Sequence, residues 1–223
     1  MPEWSLHRRF ARFPLVLPLQ HRAPDRPHAE AAVGWTHNVS GGGACLELAG
    51  PLRPSASLGL QLHTPDGPIA AEARVLWTRS PLPAEGGILH GIAFTQLAPD
   101  QLETLRRLLL SLRPWWHPRG RLPVNLAVTC QVIHPPGPSL PGRVGNFSRG
   151  GLLLRLPVAL VPFMDLEVIL PTPTGSLRLT STIAWVEPQE KRKSRTAIQH
   201  GVRFTHLDWP TSLSLARLLA TPV

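Results

Sequence analysis

The polar residues that recur at fixed spacing in this chain suit recognition better than catalysis. An arginine precedes a proline-bearing segment twice, in Arg12-Phe13-Pro14 and Arg121-Leu122-Pro123. Each is followed by an Asn-x-Ser-x-x-Gly segment, Asn38 to Gly43 and Asn146 to Gly151. An arginine fork makes two parallel hydrogen bonds to guanine O6 and N7, or to phosphate oxygens, and its plane stacks on a purine. Asparagine offers a donor and an acceptor to a base edge, while serine and glycine-rich backbone N–H groups suit phosphate. This chemistry points to an anionic, guanine-bearing ligand. On its own, Asn-x-Ser-x-x-Gly is also a common turn in which Asn and Ser bond their own backbone.

Catalysis has little to stand on. The sequence holds no HExxH, Walker loop, CxxC or nucleophile elbow. His90 and His200 occupy matching positions, but no carboxylate or nucleophile recurs beside them, so a structural role is expected. Trp77 and Trp185 are read as core or rim residues. We therefore expect no enzyme activity, no metal site and no resident cofactor. Cys45 and Cys130 stand at non-equivalent places and read as buried free thiols, in keeping with a reducing, cytoplasmic location.

The elements that must position these residues come in two sets. Arg12 and Arg121 are 109 residues apart, Asn38 and Asn146 108, Trp77 and Trp185 108, and His90 and His200 110. An offset this steady over four blocks marks a tandem duplication, with a period far above the 20–50 residues typical of solenoids. The 223 residues then divide into domains 1–112 and 113–223, each large enough for a core of its own. The second opens with a stiff linker, 113–120, whose Trp115-Trp116 pair is expected to pack between the domains.

Within each repeat the segments are short, β-rich and bounded by Gly or Pro. First strands are expected at 15–20 and 124–132, and strands at 44–48 and 152–156 follow the glycine clusters. Further pairs fall at 58–63 and 166–170, at 70–78 and 176–186, and at 87–94 and 197–204. About six short strands with turn signals between them suggest a closed antiparallel barrel. A helix ends each repeat: Leu102, Leu105, Leu108, Leu109 and Leu112 share one face, while Asp208 and Pro210 open the second helix ahead of Leu213, Leu215, Leu218 and Leu219. One apolar face of each must be buried against its own barrel or the other repeat.

The net charge of +9 is uneven. Through Leu112 there are ten Arg/Lys against nine Asp/Glu; from Arg113 onward there are thirteen against five, a balance of +8. The run Lys191-Arg192-Lys193-Ser194-Arg195 is either a solvated loop or an attraction for anionic partners. No stretch approaches the roughly 18 apolar residues of a membrane span. The segment after Arg8-Arg9 is a poor signal sequence, interrupted by Pro14 and Pro18, so the chain is read as soluble and unprocessed.

Taken together, these features resemble the PilZ family of cyclic di-GMP receptors. Arg8-Arg9-Phe10-Ala11-Arg12 matches that family's RxxxR, and Asn38-Val39-Ser40-Gly41-Gly42-Gly43 matches its [D/N]xSxxG. The resemblance covers nearly all of both repeats and implies an all-β-dominated fold, two tandem six-stranded antiparallel barrels each followed by a C-terminal helix. It implies that Arg8 and Arg12 clasp guanine and phosphate from an N-terminal arm, with Arg9 available for a second stacked nucleotide. Asn38, Ser40 and Gly43 would complete the pocket. The second repeat keeps Arg121, Asn146, Ser148 and Gly151, but His117 stands where the first arginine is due. Arg119, two residues from Arg121, is the arginine that could stand in for that missing one.

The leading expectation is a non-enzymatic bacterial second-messenger receptor that binds cyclic di-GMP mainly through its first repeat. It would signal by ordering of the arm and domain repositioning to a protein partner in motility, adhesion or exopolysaccharide machinery. The alternatives are an interaction scaffold in which both barrels have lost the nucleotide, and a nucleic-acid binder using the basic second repeat. The last lacks aromatic residues interleaved with its cationic run.

Overall fold

The computed structural model describes residues 10–23, 30–80, 86–111, 120–173, 175–191 and 197–220. The chain divides into two compact units, Met1–Gly120 with Leu219–Val223, and Arg121–Leu218. In the first, six strands run β1 (Pro18–Arg22), β2 (Ala32–Ser40), β3 (Gly43–Leu48), β4 (Ser57–Thr64), β5 (Gly67–Arg79) and β6 (Ile88–Gln96), followed by α1 (Pro99–Ser111). They close antiparallel in the order β1-β2-β3-β6-β5-β4. The second unit repeats the plan with β7 (Leu122–Val132), β8 (Ser139–Ser148), β9 (Gly151–Leu156), β10 (Asp165–Thr172), β11 (Gly175–Val186) and β12 (Ile198–Phe204), then α2 (Trp209–Ala220). Its strands close in the order β10-β11-β12-β9-β8-β7. The two barrels and closing helices agree with the sequence reading.

Period-two alternation supplies each core. Leu58, Leu60 and Leu62 of β4 and Ile69, Ala73 and Val75 of β5 point inward, and Leu105, Leu108 and Leu109 of α1 join the same cluster. Thus α1 buries its leucine face on its own barrel, where its removal would expose three side chains worth about 2 kcal/mol each. In the second unit Leu166, Val168 and Leu170 of β10 alternate inward in the same way. Asp208 caps α2, its Oδ1 accepting the Thr211 N–H at 2.9 Å and its carbonyl the Ser212 N–H at 2.9 Å. Hydrogen bonds from Thr211, its side chain first and then its N–H, hold the Asp208 carboxyl below its usual range.

One element per barrel escaped the sequence reading, and it is the strand that carries the asparagine. In β2 a bulge falls between Thr36 and Asn38, and in β8 between Val144 and Asn146. An extra residue breaks the alternation and re-aims the side chain that follows. A matching bulge on β5, between Val75 and Trp77, leaves Leu76 and Trp77 both on the outer face; β11 repeats it between Ile183 and Trp185.

The twin His-Gly-Trp sets are structural. His90 and His200 are fully buried, and each accepts a backbone N–H through Nε2, from Leu52 at 3.0 Å and from Leu160 at 3.1 Å. An accepting Nε2 requires the Nδ1–H tautomer; burial lowers the His90 pKa and keeps the ring neutral, while the Ile88 carbonyl works in the opposite sense. A Cβ on Gly91 or Gly201 would run into the Trp77 or Trp185 indole. Each tryptophan therefore lies across the glycine of the neighbouring strand, covering backbone that has no side chain of its own. Cys45 and Cys130 are buried free thiols, with the Cys130 pKa pushed up by burial to about 12.

The linker 113–120, apart from Gly120, lies outside the described residues, as do Arg192–Arg195. Among the described residues no helix is long and apolar enough to cross a membrane, and no cluster of metal-ligating side chains occurs.

Candidate functional site

An isolated antiparallel bridge brings the arginine arm to the asparagine strand. Phe13 pairs with Val39, donating to its carbonyl at 2.9 Å and accepting its N–H at 3.0 Å. Phe13 packs against the barrel core, which leaves its neighbour Arg12 exposed on the outer face, across from Ser40 and diagonal to Asn38. Asn38 pairs with Cys45 of β3. Burial raises the Cys45 pKa, and the nearby Arg12 guanidinium acts to lower it. Among the described residues neither the Arg12 guanidinium nor the Asn38 amide has a hydrogen-bond or ion-pair partner. Arg8 and Arg9 lie outside those residues.

Downstream of the bridge, the chain is held by a buried hydroxyl. Thr36 Oγ1 donates to the Leu15 carbonyl at 2.5 Å and accepts the Leu17 N–H at 2.9 Å, while the Thr36 N–H donates to the Leu17 carbonyl. Leu15 and Leu17 are fully buried, so the chain leading from Arg12 into β1 is fixed by both packing and hydrogen bonds.

The rest of the motif serves the hairpin. Ser40 Oγ donates to the Gly43 carbonyl at 3.0 Å, and Ser148 Oγ to the Gly151 carbonyl at the same distance. A Cβ on Gly43 or Gly151 would strike the Ile92 or Val202 carbonyl oxygen, so each glycine lets β3 or β9 approach the neighbouring strand. Sequence reasoning missed Phe10. Its ring, 53% exposed, lies against the turn at Gly41 and Gly42, where a Cβ on Gly42 would stand 2.7 Å from it.

The second repeat has the same register but a different occupant. Leu122 pairs with Phe147 and Pro123 with Asn146, so Arg121 stands where Arg12 does. Here the guanidinium is tied down: Arg121 Nη1 donates to Asn146 Oδ1 at 3.1 Å. Arg149, in place of Gly41, sits over the Trp209 ring at 5.7 Å. Val144 replaces Thr36, and Arg143 instead donates to Asn125 on the neighbouring strand at 2.9 Å. Arg119 and His117 lie outside the described residues.

A PilZ domain model matches residues 6–111 and again 117–221. The chain belongs to the PilZ domain family. Solved structures with similar folds include the PilZ domain of YcgR from Escherichia coli with c-di-GMP, at 17% identity, covering 48% of this chain and 91% of that one, TM-score 0.38. Another is PlzA of Borreliella burgdorferi in complex with c-di-GMP, at 13% identity, covering 92% and 86%, TM-score 0.37. A third is the inhibitor of motility MotI/DgrA of Bacillus subtilis, at 10% identity, covering 92% and 94%, TM-score 0.37. No curated protein matches the chain. The YcgR PilZ domain and PlzA were both solved with c-di-GMP.

Proposed function

We propose that this chain is a receptor for cyclic di-GMP that binds through its first PilZ domain. The observation that carries this reading is the Phe13–Val39 bridge, which sets Arg12 beside Asn38, with both side chains unpartnered among the described residues. Arg12, with Arg8 and Arg9 of the same arm, takes guanine edges and phosphates; Asn38 takes a base edge. Ser40 and Gly43 hold the hairpin that presents them. Each repeat, 1–112 and 113–223, acts as one module, and ligand-driven ordering of the arm passes the signal to a protein partner. The protein works in the cytoplasm, where the nucleotide is made, and has no catalytic role.

The second repeat favours a different part. Because Arg121 is already bonded to Asn146, a nucleotide must first break that pair, so Arg119, Arg121, Asn146, Ser148 and Gly151 form the weaker site. If no nucleotide binds, the chain is a PilZ scaffold. Calorimetric titration of the full chain with cyclic di-GMP, with GTP and cyclic di-AMP as controls, decides this. Selective binding lost in Arg12→Ala and kept in Arg121→Ala is the expected result. Loss in Arg121→Ala alone moves the site to the second repeat, and no binding by folded parent protein rejects the receptor.

A further inference from the structure

Asn38 follows directly on the residue that makes its bulge, and that residue is anchored. His37 is the extra residue of β2, between Thr36, which pairs with Leu46, and Asn38, which pairs with Cys45. Its Nε2–H donates to Glu47 Oε2 at 2.9 Å, and the other carboxylate oxygen, Oε1, accepts the Gly87 N–H at 3.0 Å. Glu47 lies on the outer face of β3, since Leu46 and Leu48 on either side of it belong to the core, yet it is only 5% exposed. A buried carboxylate is tolerated where it is paired and hydrogen-bonded. Glu47 is thus a fixed point, tied to β2 on one side and to the chain entering β6 on the other. His37 reaches it from a half-exposed position, its side chain 44% accessible.

This fixed point lies beside the candidate site. Cys45, which pairs with Asn38, is two residues from Glu47 and on the same face of β3. Burial dominates the raised Cys45 pKa; of the charges acting on it, Arg12 lowers it and Glu47 raises it. The thiol therefore has the arginine of the arm and the acid of the anchor both nearby. A bulge is also the weak point of a register. If β2 slipped by one residue past β3, Asn38 would turn into the barrel and Val39 out of it. A side chain that pins the bulge residue bears directly on where the Asn38 amide points.

The second repeat has the same bulge without that anchor. At the 108-residue offset of the asparagines, Gly145 stands for His37 and Arg155 for Glu47. Both members of the pair differ together, and a base replaces the acid. A Cβ on Gly145 would stand 3.2 Å from the Arg155 Cζ, so the guanidinium covers the place where an imidazole would begin. Asn146 is held by Arg121 instead. The second repeat holds its asparagine through the amide; the first holds the backbone beside it and leaves the amide open among the described residues.

We propose that His37 and Glu47 are positioning residues for nucleotide binding by the first repeat, pinning the bulge so that the Asn38 amide stays on the outer face without being occupied. This inference rests on the receptor reading above and adds two residues outside the arginine and Asn-x-Ser-x-x-Gly motifs. The pair acts through Asn38, by removing in advance a freedom that binding would otherwise have to remove.

Calorimetric titration of the full chain with cyclic di-GMP tests it, on parent protein, His37→Ala, His37→Gln, Asn38→Ala and the double variant His37→Ala/Asn38→Ala, each with its melting temperature. His37→Ala should bind about tenfold more weakly than the parent. A glutamine amide reaches the place of Nε2 and still donates to the carboxylate, so His37→Gln should stay within about twofold of the parent. The double variant should bind no more weakly than Asn38→Ala, because the histidine acts through the asparagine. Unchanged affinity in His37→Ala beside a lowered melting temperature would make the pair a structural tie and overturn the proposal. Additive losses in the double variant would do the same, as would a His37→Gln as weak as His37→Ala, since the ring itself would then be meeting the ligand. Glu47→Gln should repeat the His37→Ala loss; His37 is exposed, so its variants carry the test should Glu47→Gln unfold. A parent that does not bind removes the receptor reading and this inference with it, whereas a parent that binds no better than His37→Ala defeats this inference alone.

Discussion

In the first repeat, Arg12 and Asn38 flank the Phe13–Val39 bridge, and among the described residues neither side chain is bonded; in the second, Arg121 and Asn146 stand in the same register and are bonded to each other. The residue types match and the strands match, so the difference lies in whether the donor and acceptor are left for something else. A motif retained in sequence is therefore compatible with two different states of the site. The pairs around it differ in the same sense. Phe10 rests on the Gly41–Gly42 turn in one repeat, and Arg149 turns from that position to Trp209 in the other.

The comparison is broken most forcefully where the two repeats are identical. Gly43→Ala and Gly151→Ala each drive a Cβ into the carbonyl of the next strand, and each should cost its own barrel about 3 kcal/mol in urea unfolding. Unequal costs would mean that the two hairpins are not equivalent.

A comparable effect separates the barrels by pH. His21 of β1 corresponds to Cys130 of β7. Burial, with a contribution from His90, lowers the His21 pKa from 6.5 to about 4. The unfolded chain takes up that proton first, so stability is complete above pH 6.5 and declines as the pH falls to about 4, by roughly 3 kcal/mol. His63, also lowered by burial, adds in the same direction. His21→Cys, which installs the second repeat's residue, should flatten the acid limb of a melting-temperature profile between these values; an unchanged slope would place the titration elsewhere.

Thr36→Val imitates Val144 and removes the hydroxyl bridging Leu15 and Leu17. We expect about 1.5 kcal/mol lost, because the buried Leu17 N–H is left without its acceptor, together with weaker nucleotide binding measured by calorimetry. The smallest effect is expected from Asn146→Ala, a change at a half-buried position that should alter stability by about 0.5 kcal/mol. Asn38→Ala should instead leave stability alone and weaken cyclic di-GMP binding about tenfold, roughly 1.4 kcal/mol. Equal binding losses from the two asparagine variants would erase the distinction between the sites.

The duplication, the barrels and the capped helix at Asp208 were legible because spacing and alternation encode them directly. The strands carrying Asn38 and Asn146 were not. In β8, Pro141, Gly142 and Gly145 read as turn residues, and the bulges before both asparagines interrupt the period that marks a strand. The candidate site was legible as residue types, through the arginines and the Asn-x-Ser-x-x-Gly segments. What Ser40 and Gly43 do emerged only with the hairpin, and the Arg121–Asn146 bond depends on strand register across 25 residues, which no local pattern carries. Phe10 gave no signal, since an aromatic beside arginines looks the same whether it rests on a glycine turn or not.

The histidine at the end of each barrel has a consequence for how such a protein can change. His90 and His200 grip their loops by a backbone N–H alone, and the strand carbonyls beyond them do the same. A grip of that kind is indifferent to the side chains it carries forward. Substitutions at 53 and 55, or at 161 and 163, can therefore accumulate with little loss of foldability, giving each barrel a position where new surface chemistry can be tried while its interior stays as it was.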